Sequence, residues 1–157
     1  MQLGSPGALR EELTALVLAG QKTGTAGLLM DDYEAEHEPL AHVGEQLVLV
    51  DDLAQPIALL EVDEVQVHPF ASVPWEFADA EGEGFTSIGD WRAGHRRFWQ
   101  AMGAKVSDST PVVCLRFHVV PGTEARQSSR PDRSGAVAPV SQPLDRIYRV
   151  GCATMPR

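Results

Sequence analysis

The chain has 157 residues, of which 43% are hydrophobic and 22% are charged. This length and composition are typical of one globular domain that buries a core without metal or disulfide staples. No apolar run approaches the roughly 20 residues that a membrane helix needs, and the N-terminus lacks the pattern of a secretory signal, so no membrane partner is expected. Two cysteines, Cys114 and Cys152, are too few for a disulfide framework. We therefore expect reduced thiols and a cytoplasmic protein.

Charge is unevenly distributed along the chain. Residues 1–120 contain 7 Lys and Arg against 19 Asp and Glu, whereas residues 121–157 contain 6 against 3. An acidic surface repels a polyanion over most of its area, so we expect no binding to DNA and no non-specific binding to long RNA. Any nucleic-acid contact is expected at a small local site. The cations available for it before residue 121 are Arg10, Lys22, Arg92, Arg96, Arg97, Lys105 and Arg116.

The first half of the chain predicts one helix followed by curved strands. An apolar stripe at helical spacing (Leu9, Leu13, Leu16 and Val17) predicts a helix that ends at Gly20. Lys22–Leu29 is predicted to be a loop entering a strand, and the acidic residues 31–43 an irregular excursion. Gln46–Val50 and Ile57–Val67 predict two strands. Within the second strand the alternation slips by one residue, which predicts a bulge near Asp63.

The second half predicts two helices and one clear strand. Ser72–Ala80 is predicted to be a short helix with Pro74 in its first turn. A longer helix is predicted to start at Ser87 and to end at Gly103. Its apolar stripe is Trp91, His95, Phe98 and Met102. Val112–Val120 alternates with a period of two and predicts a strand. Together these elements favour an α+β domain or a small barrel.

The C-terminal segment differs from the rest in composition. Residues 121–143 are rich in Pro, Gly, Ser and Arg and show neither helical nor strand periodicity, so we expect a mobile linker there. Residues 144–150 weakly predict a last strand. We therefore predict a domain over residues 8–120 and a Pro-, Ser- and Arg-rich tail over residues 121–157.

Three segments carry side chains suited to chemistry. In AGQKTGT, Lys22 and the hydroxyls of Thr23 and Thr25 follow a helix, a setting for binding phosphate or carbonyl oxygen, although a capped helix end with a solvated lysine is the alternative. In AEGEGFTS, Glu81 or Glu83 is a candidate base, metal ligand or partner of Lys22. The alternative there is an acidic loop in which Thr86 or Ser87 caps the next helix.

The third segment is WRAGHRRFWQ. Its aromatic residues are predicted to belong to the core, while Arg92 and Arg96 share a helix face and predict a compact anion-binding patch. The five histidines show no metal-ligand spacing, so no metal site is predicted from them.

In this order, these motifs resemble the ASCH-domain family. The resemblance runs from about Leu13 to Val120 and rests on GQKT with Thr25, the YE…EPL…VG run, and AEGEG followed by WRxxH. It implies a PUA-like small β-barrel with flanking helices and an association with RNA. Some members resemble ribonucleases, and a smaller branch hydrolyses N4-acetylcytidine. One departure stands out: the usual EGEGD motif has Phe85 in its last position here.

The resemblance implies a site but leaves three functions open. It assigns catalysis to Lys22, Thr25 and Glu83. From the residues themselves, the expected substrate-binding positions are Thr23, Tyr33, Glu81, Arg92 and Arg96. The leading expectation is a ribonuclease-like hydrolase of RNA, which would use Glu83 as base and Lys22 as cation, with a divalent metal as a possible cofactor; the other two functions are alternatives. A nucleoside amidohydrolase would use Thr25 as nucleophile, Lys22 as base and Glu83 to orient them. An RNA-binding module would use Lys22 only as a phosphate contact. The oligomeric state is left open.

Overall fold

A computed structural model describes residues 1–35, 37 and 39–123 and the backbone of residues 149–150. Its elements in chain order are β1 (Gln2–Leu3), α1 (Ala8–Leu18), β2 (Gly24–Leu28), β3 (Gln46–Val50), β4 (Pro56–Pro69), α2 (Trp75–Ala80), α3 (Ile88–Ala101), β5 (Pro111–Val119) and β6 (Arg149–Val150). A π-helical turn, Leu29–Glu34, follows β2, and a short 3-10 helix, Phe70–Ser72, follows β4. The predicted α+β class is confirmed.

The main sheet is antiparallel and has the strand order β2–β5–β4–β3. It curls into a half-barrel. Part of the curl arises in β4, where the register against β5 shifts between Val62 and Glu64 and leaves Asp63 as an extra residue. An extra residue bends its strand and increases the local twist. The predicted bulge near Asp63 is thus confirmed.

Strand β5 separates two hydrophobic clusters because its side chains alternate between the faces of the sheet. Val113, Leu115 and Phe117 pack in one cluster, which includes residues of α1, β3 and β4. Val112 and Cys114 pack in the other, which includes residues of α2 and α3. The sheet therefore has helices over both faces, and the edge strand β2 lies where the two layers meet.

Helix α3 begins where the sequence predicted, but its buried apolar stripe ends earlier than predicted. Ser87 is the N-cap, and its Oγ accepts a hydrogen bond from the Asp90 backbone amide. Trp91, His95 and Trp99 are the large buried side chains, whereas Met102 is 69% exposed. The prediction that Met102 belongs to the buried stripe was wrong, because the helix ends at Ala101 and Met102 lies beyond its last turn.

The two ends of the described chain meet in a small parallel pair. Strand β1, which the sequence did not predict, pairs with β6, and Leu3 is fully buried. Strand β6 falls within the predicted last strand, residues 144–150; residues 144–148 lie outside the described part of the chain. The predicted mobile linker is residues 121–143, of which residues 124–143 are also outside the described part. None of the helices in the described ranges has the length and apolarity needed to cross a membrane.

Candidate active site

Lys22 is held where the end of α1 meets the loop after α2. The Lys22 backbone amide donates to the Leu16 carbonyl at 3.1 Å, and the Thr23 amide donates to the Ala80 carbonyl at 2.8 Å. Gly82 allows this approach: its φ is +65°, and a Cβ on it would lie 2.3 Å from the Gln21 carbonyl oxygen. A residue with a side chain would therefore push the two loops apart.

The Lys22 side chain is buried and paired with carboxylates. Its Nζ lies 2.6 Å from Glu83 Oε1 and 3.7 Å from Glu81 Oε1, and the side chains of all three residues are fully shielded from solvent. It also donates to the Glu81 carbonyl at 3.5 Å. The alternative of a solvated lysine was wrong, and the predicted pairing of Lys22 with the AEGEG loop is confirmed.

Glu81 is the most highly connected carboxylate of the site. Its Oε1 accepts a hydrogen bond from the Ala26 amide on the free edge of β2 at 2.8 Å, and its Oε2 accepts one from the Trp91 indole. Burial by itself raises the pKa of the Glu81 carboxyl. The charges of His95 and Lys22 and the hydrogen bonds from His95 and Trp91 outweigh burial, so the pKa falls to about 2.

His95 completes this buried network, although the sequence placed it only on the core stripe. Its Nε2 lies 3.2 Å from Glu81 Oε2, and its Nδ1 lies 3.2 Å from the Trp91 carbonyl oxygen. The ring thus lies between the Glu81 carboxylate and the Trp91 carbonyl, and Lys22 and His95 both lie beside Glu81. The available signal for this role was WRxxH directly after AEGEG.

The two threonines of the GQKTGT loop differ in their surroundings. Thr23 is half-buried, and its hydroxyl donates to the Ala80 carbonyl at 3.3 Å. Thr25 is fully buried, and its hydroxyl makes no hydrogen bond to any described residue. Thr25 pairs with Leu115, so its side chain is on the sheet face opposite to those of Ala26 and Cys114. The structure thus joins Lys22 to Glu83 and buries the Thr25 hydroxyl without a hydrogen bond to any described residue.

The remaining predicted substrate-binding residues are engaged within the fold. Tyr33 is 3% exposed and packs in the first hydrophobic cluster. Arg92 donates to the Ala71 carbonyl at 2.7 Å, and Arg96 pairs with Asp108 at 2.9 Å. An anion at the predicted Arg92–Arg96 patch would have to compete with these contacts. The substrate-binding roles of these residues stay predictions.

An open groove of about 460 Å³ lies beside the GQKTGT loop, and two of the residues that line it, Thr23 and Arg116, were candidates from the sequence. The β4 bulge brings Asp63 to His118 of β5, and Asp63 Oδ1 lies 2.9 Å from His118 Nδ1. No sequence pattern reports this pairing, because the two residues are 55 positions apart. The lining residues are Thr23, Asp63, Glu64, Arg116, Phe117 and His118.

Metal and thiol chemistry receive no support from the described residues. Within the described ranges, no group of three or more His, Cys, Asp or Glu side chains is arranged to hold a metal ion. Burial, together with the nearby carboxylates of Glu81 and Glu64, raises the pKa of the Cys114 thiol far above its usual range. A thiol in that state is a poor nucleophile.

Comparison with known proteins identifies similar folds. The family model described as ASCH domain matches residues 1–121. The crystal structure of a DUF984 family protein from Enterococcus faecalis V583 is 28% identical with a TM-score of 0.65, and the match covers 76% of each chain. An ASCH domain from Lactobacillus crispatus JV V101 is 24% identical with a TM-score of 0.65, over 76% of this chain and 77% of that one. No curated protein sequence matches. The predicted PUA-like fold is confirmed.

Proposed function

We propose a function from the fact that the chain belongs to the ASCH domain family. It hydrolyses a base-modified nucleoside such as N4-acetylcytidine. The family is associated with RNA in general. The observation that carries the proposal is the 2.6 Å contact between Lys22 Nζ and Glu83 Oε1, which joins residues 61 positions apart. These are two of the three positions that the family resemblance implies as catalytic.

In the proposed reaction Lys22, Thr25 and Glu83 each have a separate role in amide hydrolysis. Glu83 takes a proton from the Lys22 ammonium, and the resulting amine accepts the proton of the Thr25 hydroxyl as that oxygen attacks the acetyl carbonyl carbon. The C–N bond then breaks, and cytidine leaves with a proton returned by Lys22. Water hydrolyses the acetyl-threonine ester to acetate and restores Thr25. The Thr25 hydroxyl has no hydrogen bond with a described residue to break when it attacks.

Electrostatics favour a small substrate over a polymer. Arg10, a candidate cation from the sequence, is buried, pairs with Asp52 at 2.5 Å and donates to the Leu3 carbonyl. Arg92 and Arg96 are likewise engaged in internal contacts. The basic surface that tracks a nucleic-acid backbone is therefore not supported in the described part of the chain. A cytoplasmic location is part of the proposal and is supported by the unpaired Cys114 thiol.

Cleavage of RNA is the second candidate, and the groove is the observation that favours it. His118, held by Asp63, and Arg116 both line an open surface beside Thr23. A histidine and an arginine supply a base and a phosphate contact, which are the two functions that cleavage next to a 2′-hydroxyl requires.

One incubation series separates these functions. The protein is mixed with N4-acetylcytidine, and separately with labelled single-stranded RNA with and without Mg²⁺, and the products are resolved by chromatography and gel. We expect cytidine from the first mixture and intact RNA in the second. Shortened RNA without cytidine would establish the second candidate instead. Binding of RNA without turnover in either mixture would show a binding module and overturn both enzymatic functions.

A further inference from the structure

Arg116 has a position in the groove that sets it apart from the other arginines. It is half-buried, and it pairs across strands with Gly24 of β2 and Glu64 of β4, which places it at the centre of the groove beside the GQKTGT loop. Its guanidinium makes no hydrogen bond and no ion pair with any residue that the structure describes. A partly desolvated cation without a partner is an unsatisfied group that an anion would stabilise.

The two carboxylates that line the groove, Asp63 and Glu64, contact residues other than Arg116. Asp63 is engaged by His118 at 2.9 Å. Glu64 Oε1 accepts a hydrogen bond from Gln66 Nε2 at 2.6 Å, and it is not within ion-pair distance of Arg116 although the two are register neighbours. Neither carboxylate therefore neutralises the guanidinium. Among the described residues that line the groove, Arg116 is the one arginine or lysine, which suits one phosphate group and not a chain of them.

We propose that this groove binds a single phosphate group of the substrate, with Arg116 as the main contact and Thr23 and His118 as further donors. The Lys22–Glu83 site would then prefer a modified nucleotide or the end of a short RNA over the free nucleoside. This inference rests on the proposed function for the adjoining site. A guanidinium forms two parallel hydrogen bonds to phosphate oxygens, and a groove of about 460 Å³ has the size of a small-molecule site.

The test is a calorimetric titration of the full chain with cytidine, cytidine 5′-monophosphate, orthophosphate and the dinucleotide CpC. We expect the monophosphate to bind about tenfold more tightly than cytidine, which is about 1.4 kcal/mol. Arg116→Gln should abolish that difference and leave the affinity for cytidine unchanged. Glu64→Gln should strengthen monophosphate binding because it removes the neighbouring negative charge. CpC and the monophosphate distinguish an internal phosphodiester from a terminal phosphate.

Lys105→Gln is the matched control, since Lys105 is an exposed cation near the opposite end of β5. It should leave every affinity unchanged. Equal affinities for cytidine and its monophosphate, or an unchanged monophosphate affinity in Arg116→Gln, would overturn the phosphate site. A phosphate preference that depends on Arg116 in a protein without N4-acetylcytidine turnover would uphold the site and overturn the proposed reaction. Turnover of N4-acetylcytidine that is unaffected by phosphate and by Arg116→Gln would uphold the proposed reaction and overturn the phosphate site.

Discussion

Glu81 connects three parts of the fold through one buried carboxylate. It accepts hydrogen bonds from the β2 backbone at Ala26 and from the Trp91 indole of α3, and it lies between Lys22 and His95. A buried charge is tolerated only when it is paired and hydrogen-bonded, and Glu81 is both. It is therefore the residue by which the sheet edge, helix α3 and the proposed catalytic pair hold their relative positions.

Replacing Glu81 with Gln keeps the size of the side chain and removes its charge. We expect Glu81→Gln to lower the free energy of unfolding by about 3 kcal/mol near neutral pH, because Lys22 loses a buried counter-charge and His95 loses its carboxylate partner. The folded-state pKa of about 2 is below the ordinary 4.5, so Glu81 stabilises the fold above pH 4.5 and that contribution is lost between pH 4.5 and pH 2.

The measurement is urea unfolding across this pH range. The wild type should lose stability more steeply on acidification than Glu81→Gln. Glu76→Gln, at an exposed position on α2, is the control and should match the wild type. Parallel pH curves for wild type and Glu81→Gln would contradict the role given to Glu81.

Gly82 and Gly84 form a natural pair for testing the loop approach. Both have positive φ, but a Cβ on Gly82 would lie 2.3 Å from the Gln21 carbonyl oxygen, whereas a Cβ on Gly84 would meet no atom within 4 Å. Gly84→Ala should cost only the backbone strain of about 1–2 kcal/mol. Gly82→Ala should cost clearly more in chemical denaturation. Equal losses would show that the packing of Gly82 against Gln21 is unimportant.

Thr25 and Thr14 are both buried with hydroxyls that make no hydrogen bond in the described structure. Replacing either by Val removes an unsatisfied polar group at nearly constant shape, so both variants should fold with wild-type stability. Only Thr25→Val should lose N4-acetylcytidine hydrolysis, by about 100-fold or more, as the loss of a nucleophile requires. Equal activity of the two variants would remove Thr25 from the reaction.

At the scale of the element, helix α3 and the AEGEG loop fit together through Phe85 and Gly94. A Cβ on Gly94 would lie 2.6 Å from the Phe85 ring, and the ring centroids of Phe85 and His95 are 5.7 Å apart. Phe85, the departure from the family motif, therefore occupies the space over a glycine and closes the site on the helix side.

A double-mutant cycle tests this fit. Gly94→Ala should destabilise the wild type because the methyl group displaces the Phe85 ring. In a Phe85→Ala background the same substitution should stabilise the protein by about 0.5–1 kcal/mol, because alanine is the better helix former. Thermal and urea unfolding of the four proteins give the coupling energy. The same sign of effect in both backgrounds would contradict the contact.

Local patterns predicted the elements better than they predicted the site. The slip in alternation located the bulge at Asp63, and Ser87 marked the start of α3, because both signals arise from neighbouring residues. Strand β1 has only two residues, too few to show a period. The sequence offered pairing with Lys22 as one of three roles for Glu81 or Glu83, beside those of a base and a metal ligand. The groove was not, because Asp63, Arg116 and His118 meet only through the register of β4 against β5.

At the scale of the whole molecule, the fold confines positive charge to local positions. The sequence through residue 120 is strongly acidic, and several of its cations are engaged within the fold. An acidic exterior with a shielded, charge-balanced pair at the edge of the sheet suits selection of a small substrate. The side chains of Lys22 and Glu83 are fully shielded, so the pair is kept apart from bulk solvent.

The central claim is that Lys22 and Glu83 act as one catalytic unit, and a kinetic double-mutant cycle on N4-acetylcytidine hydrolysis tests it most directly. Lys22→Gln and Glu83→Gln, each shown to be folded by circular dichroism, are compared with their double variant and the wild type. We expect each single substitution to lower kcat/KM by about 10²–10⁴-fold, and the double variant to be no slower than the slower single one. Losses that multiply in the double variant, or single variants with wild-type kcat/KM, would contradict the claim.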